Sequence, residues 1–271
     1  MARRHLLDLD RVTFRLTIGT LASIAFFFLV FPTAIVLLTS FTSTASLRFP
    51  PPGYSLRWYA ALLDAWQLHF AASNSLKIAV GSTLLAVVLG VAAALAIARS
   101  EKWSARVLDS LFMSPLVLPA LAFGLAALMF FTLIGMSVSP LTLIIGHSVV
   151  CVPYVVRTTV AALAQLNLSL LESSASLGAS RLFTFRRVTL PLIRPGILAG
   201  AFIAFMSSFD NVPVSLFLRD ARTDMLPIRM WQDLEGKLDV TIAAVSGVLI
   251  VVTLVLMMVM ERIAGLSRRL R

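Results

Sequence analysis

Ile78-Ala79-Val80-Gly81-Ser82-Thr83-Leu84-Leu85-Ala86-Val87-Val88-Leu89-Gly90-Val91-Ala92-Ala93-Ala94-Leu95-Ala96-Ile97-Ala98 contains no charged residue. Wound as a helix rising about 1.5 Å per residue, such a stretch crosses the roughly 30 Å hydrocarbon layer of a bilayer. Within it Ser82, Ala86, Gly90, Ala94 and Ala98 recur every four residues. One face is therefore nearly bare, and a neighbouring backbone can approach it closely. The reading is a lipid-embedded helix in a compact bundle. Working outward, comparable apolar stretches lie near 16–38, 73–98, 107–132, 138–164, 194–218 and 240–262. The expected fold is all-α: a polytopic membrane protein of six transmembrane helices, with residues 1–271 forming one domain. There is no low-complexity segment, no long linker and no convincing internal repeat.

Composition supports lipid as the main solvent. With 59% apolar and 13% charged residues and a mean hydropathy of +0.92, the chain lacks the polar surface of a soluble globule of its size. A net charge of +10 would suggest a nucleic-acid partner in a soluble protein, but here the basic residues flank the apolar stretches instead of forming one groove. With the N-terminus cytoplasmic, fifteen Lys and Arg fall inside: Arg3, Arg4, Arg11, Arg15, Arg99, Lys102, Arg106, Arg181, Arg186, Arg187, Arg194, Arg262, Arg268, Arg269 and Arg271. Only six fall outside: Arg48, Arg57, Arg219, Arg222, Arg229 and Lys237. This positive-inside bias, with an even number of spans, predicts both termini in the cytoplasm. The first apolar run is too long for a cleaved signal and reads as an uncleaved anchor. The single cysteine, Cys151, cannot form a disulfide or a thiolate metal site within the chain.

Several residues stand out against this background. Pro115, Pro119, Pro153 and Pro213 are expected to kink or end helices, freeing carbonyls that only protein or a water-filled path can satisfy. Asp210, about two-thirds of the way outward along the fifth span, is an intramembrane acid. It either offers a counter-charge on a substrate path or, with Asn211 and Pro213, caps or kinks the helix as it leaves the bilayer. Arg157 lies at a different depth, so it is expected to snorkel inward or face the bundle rather than pair with Asp210. His147, without a second histidine or a carboxylate in register, reads as a packing residue in preference to a proton relay or metal ligand. Trp58, Tyr59 and Trp66 follow Phe49-Pro50-Pro51-Pro52 and suit either an interfacial helix or a simple aromatic belt. The 219–239 segment, where acids outnumber bases, reads as a solvated loop.

The longest inside loop, about 165–193, carries the functional signal. Ser169 and Glu172 have the spacing of a capping box that would start a short helix. Gly178 can take the left-handed conformation that ends it, and 180–189 can form a second short helix stopped by Pro191. The second arm sets Leu182, Phe183 and Phe185 among Arg181, Arg186 and Arg187. Apolar knobs ringed by positive charge suit the groove of another protein.

Glu172, Gly178, Val188, Leu190 and Pro191 together resemble the cytoplasmic EAA loop of permease subunits of bacterial binding-protein-dependent ABC importers. Two departures are visible. Ser173-Ser174 replaces a pair of alanines and Val188 an isoleucine; serine is the poorer helix former and would weaken docking slightly. The resemblance implies a type I importer permease whose loop forms coupling helices on the ATPase subunit. Glu172, Ser173, Ser174, Gly178, Leu182, Phe183 and Pro191 would then make up the docking element. It also implies a second permease subunit, a related chain or less readily another copy, with two cytoplasmic ATPase subunits and a periplasmic or lipid-anchored solute-binding protein. ATP and magnesium would sit on the ATPase partners and no cofactor on this chain.

The 49–59 run, Asn74-Ser75-Leu76, Ser208-Phe209-Asp210 and Leu226-Pro227-Ile228-Arg229-Met230-Trp231 look like the spermidine/putrescine-type branch. That branch implies a polyamine cargo, with aminoalkyl-phosphonate, opine or ferric iron as alternatives. An ion-coupled secondary transporter would call for inverted repeats and several intramembrane acids, and an intramembrane enzyme for a facing Ser/His or Asp/Asp pair. Neither pattern is present, and no Walker A sequence is found.

Overall fold

A computed structural model describes residues 2–98, 100, 102–220, 222–237 and 240–264, with side chains described from residue 13 onward except at 237 and 264. Of the residues used above for orientation and charge, Arg99, Asp239, Arg268, Arg269 and Arg271 lie outside the described residues. So do the side chains of Arg3, Arg4, Arg11 and Lys237.

The described residues are helical, without strands. In chain order they form α1 (Ala2–Ser40), α2 (Arg57–Asp64), α3 (Trp66–Ala98), α4 (Trp103–Met113), α5 (Ala120–Leu133), α6 (Pro140–Ala164), α7 (Leu168–Ser176) and α8 (Arg181–Thr184). These are followed by α9 (Leu190–Phe209), α10 (Val212–Leu218), α11 (Leu226–Lys237) and α12 (Thr241–Ala264). Five helical stretches are long and apolar enough to cross a bilayer: Thr13–Ser40, Trp66–Ala98, Pro140–Ala164, Arg181–Phe209 and Thr241–Ile263. The sixth expected span is a pair of helices, Trp103–Leu116 and Ala120–Leu133, bent by 103°. The bend falls where Pro115 enters a 3-10 turn and Pro119 precedes α5. Each proline removes a backbone donor at the bend, and the continuous span expected at 107–132 is replaced by two helices. Pro153 behaves otherwise: it is buried, and α6 runs through it unbroken.

Contacts gather into two compact units. One holds the chain up to Asp64 together with Asp233–Val252. There the short α2 is anchored to the end of α1: Trp58 Nε1–H donates to the Thr42 carbonyl at 2.9 Å, and the Tyr59 and Ser40 hydroxyls lie 2.7 Å apart. Trp58 and Tyr59 thus tie α2 to the end of α1, whereas Trp66 is exposed. Gly247 of α12 meets the same cluster, and a Cβ there would fall 3.3 Å from Ser40 Oγ.

The second unit comprises Ala65–Gln232 and the chain from Thr253 on. Its core is the three-helix packing of α3, α6 and α9. The small face read from the sequence is the contact surface: Ser82, Ala86, Gly90 and Ala94 are buried, whereas Ala98 at the helix end is exposed. At Gly90 a Cβ would fall 2.8 Å from Val155 Cβ and 3.3 Å from the Val152 carbonyl, so only glycine allows α3 and α6 this approach. Hydroxyls lace the same seam, Ser82 Oγ donating to the Ile144 carbonyl at 3.2 Å and Ser148 Oγ to the Ser82 carbonyl at 3.3 Å.

Candidate functional site

The 165–193 connection folds as two short arms around a sharp turn. α7 is capped by Asn167, whose Oδ1 accepts from Ser169 N–H at 3.1 Å. The expected Ser169–Glu172 capping box is not formed. Asn is as good an N-cap as Ser, and the chain leaving α6 enters the new helix two residues earlier. The other end matches expectation. Gly178 has φ 77°, its N–H donates to the Ala175 carbonyl at 2.9 Å, and Ala179 N–H donates to the Ser174 carbonyl at 3.1 Å. Those two bonds and the left-handed glycine are a Schellman motif. Ser180 then caps α8, accepting from Phe183 N–H at 3.3 Å.

The two arms are joined by the Ser174 and Thr184 hydroxyls, 2.8 Å apart, with Ser174 buried and Ser173 exposed. One departure from the alanine pair is therefore the clip that holds the arms together, which sequence reasoning missed because nothing local marks Thr184 as its partner. Beyond the clip, apolar side chains stand free: Leu177 is 87% exposed, Leu182 60% and Phe183 55%. Ser174, Leu177, Gly178, Ala179, Ser180 and Phe183 border an open depression of about 430 Å³. Glu172 and Pro191 are exposed as well.

Pro191 does not stop the second arm. Residues Phe185–Thr189 form a π turn that runs directly into α9. A proline ring collides with the carbonyl four residues back in an α-helix, and the wider π turn, which contains Arg187, relieves that clash. The second arm and the fifth span are consequently one helical run, Arg181–Phe209.

At its far end this run breaks. Asp210 is the exposed C-cap of α9, its N–H donating to the Met206 carbonyl at 3.2 Å. Asn211 Oδ1 accepts from Val214 N–H at 3.0 Å and starts α10, with Pro213 in the first turn. The expected continuous span 194–218 is thus two helices, because Asn211 and Pro213 favour a new helix start over continuation. His147 of α6 is fully buried behind the break. Its Nδ1 lies 2.9 Å from Ser208 Oγ and its Nε2 3.0 Å from Ser215 Oγ. Arg157 also has a partner that sequence reading did not find: its guanidinium lies 3.6 Å from the Asp109 carboxylate of α4. That carboxylate lies on α4, ahead of the bend in the third span. Among the described residues no group of three or more His, Cys, Asp and Glu could hold a metal ion.

The 219–239 segment is not a simple solvated loop. Asn74 Nδ2 donates to the Asp224 carbonyl at 3.1 Å, Ser75 Oγ accepts from Leu226 N–H at 2.9 Å, and Met225, Leu226 and Ile228 are buried. Two motifs distant in sequence, Asn74-Ser75-Leu76 and Leu226-Pro227-Ile228, are hence one structural site. Arg219 pairs with Asp224 at 2.8 Å. Asp220 accepts from the Thr223 hydroxyl at 2.7 Å and from the Arg222 and Thr223 N–H groups, which holds its carboxyl below the usual carboxylate range.

An apolar helical core, a helix-turn-helix with exposed knobs and spans broken at proline together describe a membrane-embedded transport subunit. Residues 86–270 match the binding-protein-dependent transport system inner membrane component family, and the chain belongs to that family. It is 28% identical to the spermidine/putrescine transport system permease protein PotC of Escherichia coli K12, over 92% of this chain and 94% of PotC. It is also 28% identical to the putrescine permease PotI of the same strain, over 84% of this chain and 83% of PotI. PhnV of Salmonella typhimurium LT2, named for 2-aminoethylphosphonate transport, is 27% identical over 92% of this chain and 95% of its own. Among solved structures, a bacterial ABC transporter that imports alginate superposes with a TM-score of 0.73, covering 97% of this chain and 98% of that one at 17% identity. The MetNI methionine ABC transporter gives 0.61 over 74% of this chain and 96% of that one at 20% identity. The chain is a multi-pass inner-membrane permease subunit.

Proposed function

We propose that this subunit forms half of the translocation path of an ATP-driven importer, with residues 1–271 acting as one permease domain and both termini in the cytoplasm. The observation that carries the reading is the α7–α8 pair, whose exposed Leu177, Leu182 and Phe183 stand beside Arg181, Arg186 and Arg187. In this reading the pair seats in a cleft of an ATPase subunit, with Glu172, Ser173 and Gly178 shaping the element and Leu182 and Phe183 making contact. Pro191 and the π turn pass its movement into α9. ATP and magnesium belong to two such ATPase partners. A second permease, a related chain or another copy, completes the path, and a solute-binding protein delivers cargo from outside.

The cargo is a polyamine in this account, supported by the names of PotC and PotI; Asp210 at the break of the fifth span is its candidate counter-charge. The likeness to PhnV keeps an aminoalkyl-phosphonate as the second reading. Glu172→Lys or Gly178→Asp is expected to abolish uptake while the subunit remains in the membrane, and unimpaired uptake would overturn the docking assignment. Ligand binding by the partner solute-binding protein, measured for spermidine, putrescine and 2-aminoethylphosphonate, decides the cargo.

A further inference from the structure

We infer that His147 is a positioning residue for translocation, clasping α9 and α10 across their break and so fixing where the Asp210–Asn211 junction sits. The inference rests on the permease reading above. Three observations support it. The junction itself is held only locally among the bonds described: apart from the Asn211 cap, Asp210 N–H donates to the Met206 carbonyl at 3.2 Å, Asn211 N–H to the Ser208 carbonyl at 3.3 Å and Val212 N–H to the Asp210 carbonyl at 3.0 Å. A break of this kind gives a hinge unless something outside it fixes both flanks. One imidazole does so, because Ser208 lies two residues before Asp210 and Ser215 four residues after Asn211, and both hydroxyls meet opposite ring nitrogens of His147.

The packing around the ring favours the same role. At the neighbouring Gly146 a Cβ would fall 2.6 Å from Leu218 Cδ1 and 3.2 Å from Val214 Cγ1, so α10 lies directly on α6. At Gly124 of α5 a Cβ would fall 2.6 Å from the Pro213 carbonyl oxygen, so α10 is closed in from that side as well. A neutral imidazole donates from one nitrogen and accepts at the other, so one serine hydroxyl accepts and the other donates; a group that can only donate at the first position, or only accept at the second, loses a bond. All three side chains are buried, so no water is at hand to take over a lost partner. Asp210 and Asn211 at the junction make no contact with the ring among the bonds described, so the clasp acts on them through the helix ends.

The test uses the complete transporter in proteoliposomes, with its ATPase subunits and solute-binding protein, and reads cargo uptake per ATP hydrolysed. His147→Phe keeps the ring's bulk and loses both bonds, while Ser208→Ala with Ser215→Ala removes only the two hydroxyls. Both variants are expected to lower uptake per ATP by about tenfold, as for loss of buried hydrogen bonds, with each single serine variant falling between. A merely structural role would reduce the amount of assembled complex and leave uptake per ATP unchanged, and that result overturns the proposal. Should His147→Phe fail to assemble, the serine pair decides alone. Wild-type complex that hydrolyses ATP without any coupled uptake would count against the permease reading and not against the clasp.

Discussion

At Gly178 the backbone holds φ 77°, which costs a residue with a Cβ about 1–2 kcal/mol. Gly178→Ala is therefore expected to reduce uptake without removing the subunit from the membrane, and Gly178→Asn, which tolerates this region better, to retain more of it. Uptake normalised to subunit abundance measures both. Asp220 makes a pH-dependent contribution at the same scale. Its carboxyl is held below the ordinary range chiefly by the Thr223 hydroxyl, so its stabilisation is complete above the unfolded carboxylate pKa. That stabilisation is lost as pH falls through the lower folded value. Hydrogen exchange at the Arg222 and Thr223 amides should accelerate relative to a distant reference amide across that acidic window, and Asp220→Asn should remove the dependence. Gly178 was legible in the sequence because few residues other than glycine end a helix this way. Asn167 was not, since two good caps stand two residues apart and only the path out of α6 decides between them. Asp109 as the partner of Arg157 was hidden because the two lie on different helices, 48 positions apart in the chain, and no local pattern pairs them.

At the scale of elements, the α7–α8 pair depends on a contact ten residues long in sequence and 2.8 Å long in space. Replacing Ser174 by Ala and Thr184 by Val together should loosen the arms by about 1 kcal/mol, the usual worth of one hydrogen bond. A double-mutant cycle on ATP-dependent uptake checks this: the two single variants should each cost nearly as much as the pair, and strict additivity would show that the hydroxyls do not cooperate. Prolines marked the breakable spans but not the outcome at each. Pro115 with Pro119 turns the chain by 103°, whereas Pro153 leaves α6 continuous between α3 and α9. One missing bond in a packed helix is absorbed; Pro191 and Pro195, also four residues apart, stay within one run that starts from a π turn, whereas Pro115 and Pro119 flank a 3-10 turn where the chain bends. Pro191, expected to be a stop, instead lies where the second arm continues into the fifth span, because a π turn was available to accommodate it. Such a wide turn has no composition signature that a sequence reading could use.

At the scale of the molecule, composition and the run of apolar stretches carried the fold class, and the four-residue rhythm of Ser82, Ala86, Gly90 and Ala94 located the seam of the core. The 219–239 segment escaped because its charge balance concealed Met225, Leu226 and Ile228, which are buried beside a motif about 150 residues away. The central claim is that the α7–α8 turn is the contact through which an ATPase subunit drives this permease. Because the only cysteine, Cys151, is buried, a cysteine introduced at Leu182 would be the one accessible thiol of the chain. Cross-linking Leu182→Cys to a cysteine in the ATPase cleft, in inverted membrane vesicles with and without ATP, tests the claim directly. The account predicts a cross-linked permease–ATPase species whose yield changes on ATP binding. Absence of that species in an assembled complex, or labelling of Leu182→Cys by a membrane-impermeant thiol reagent applied from outside intact cells, would contradict it.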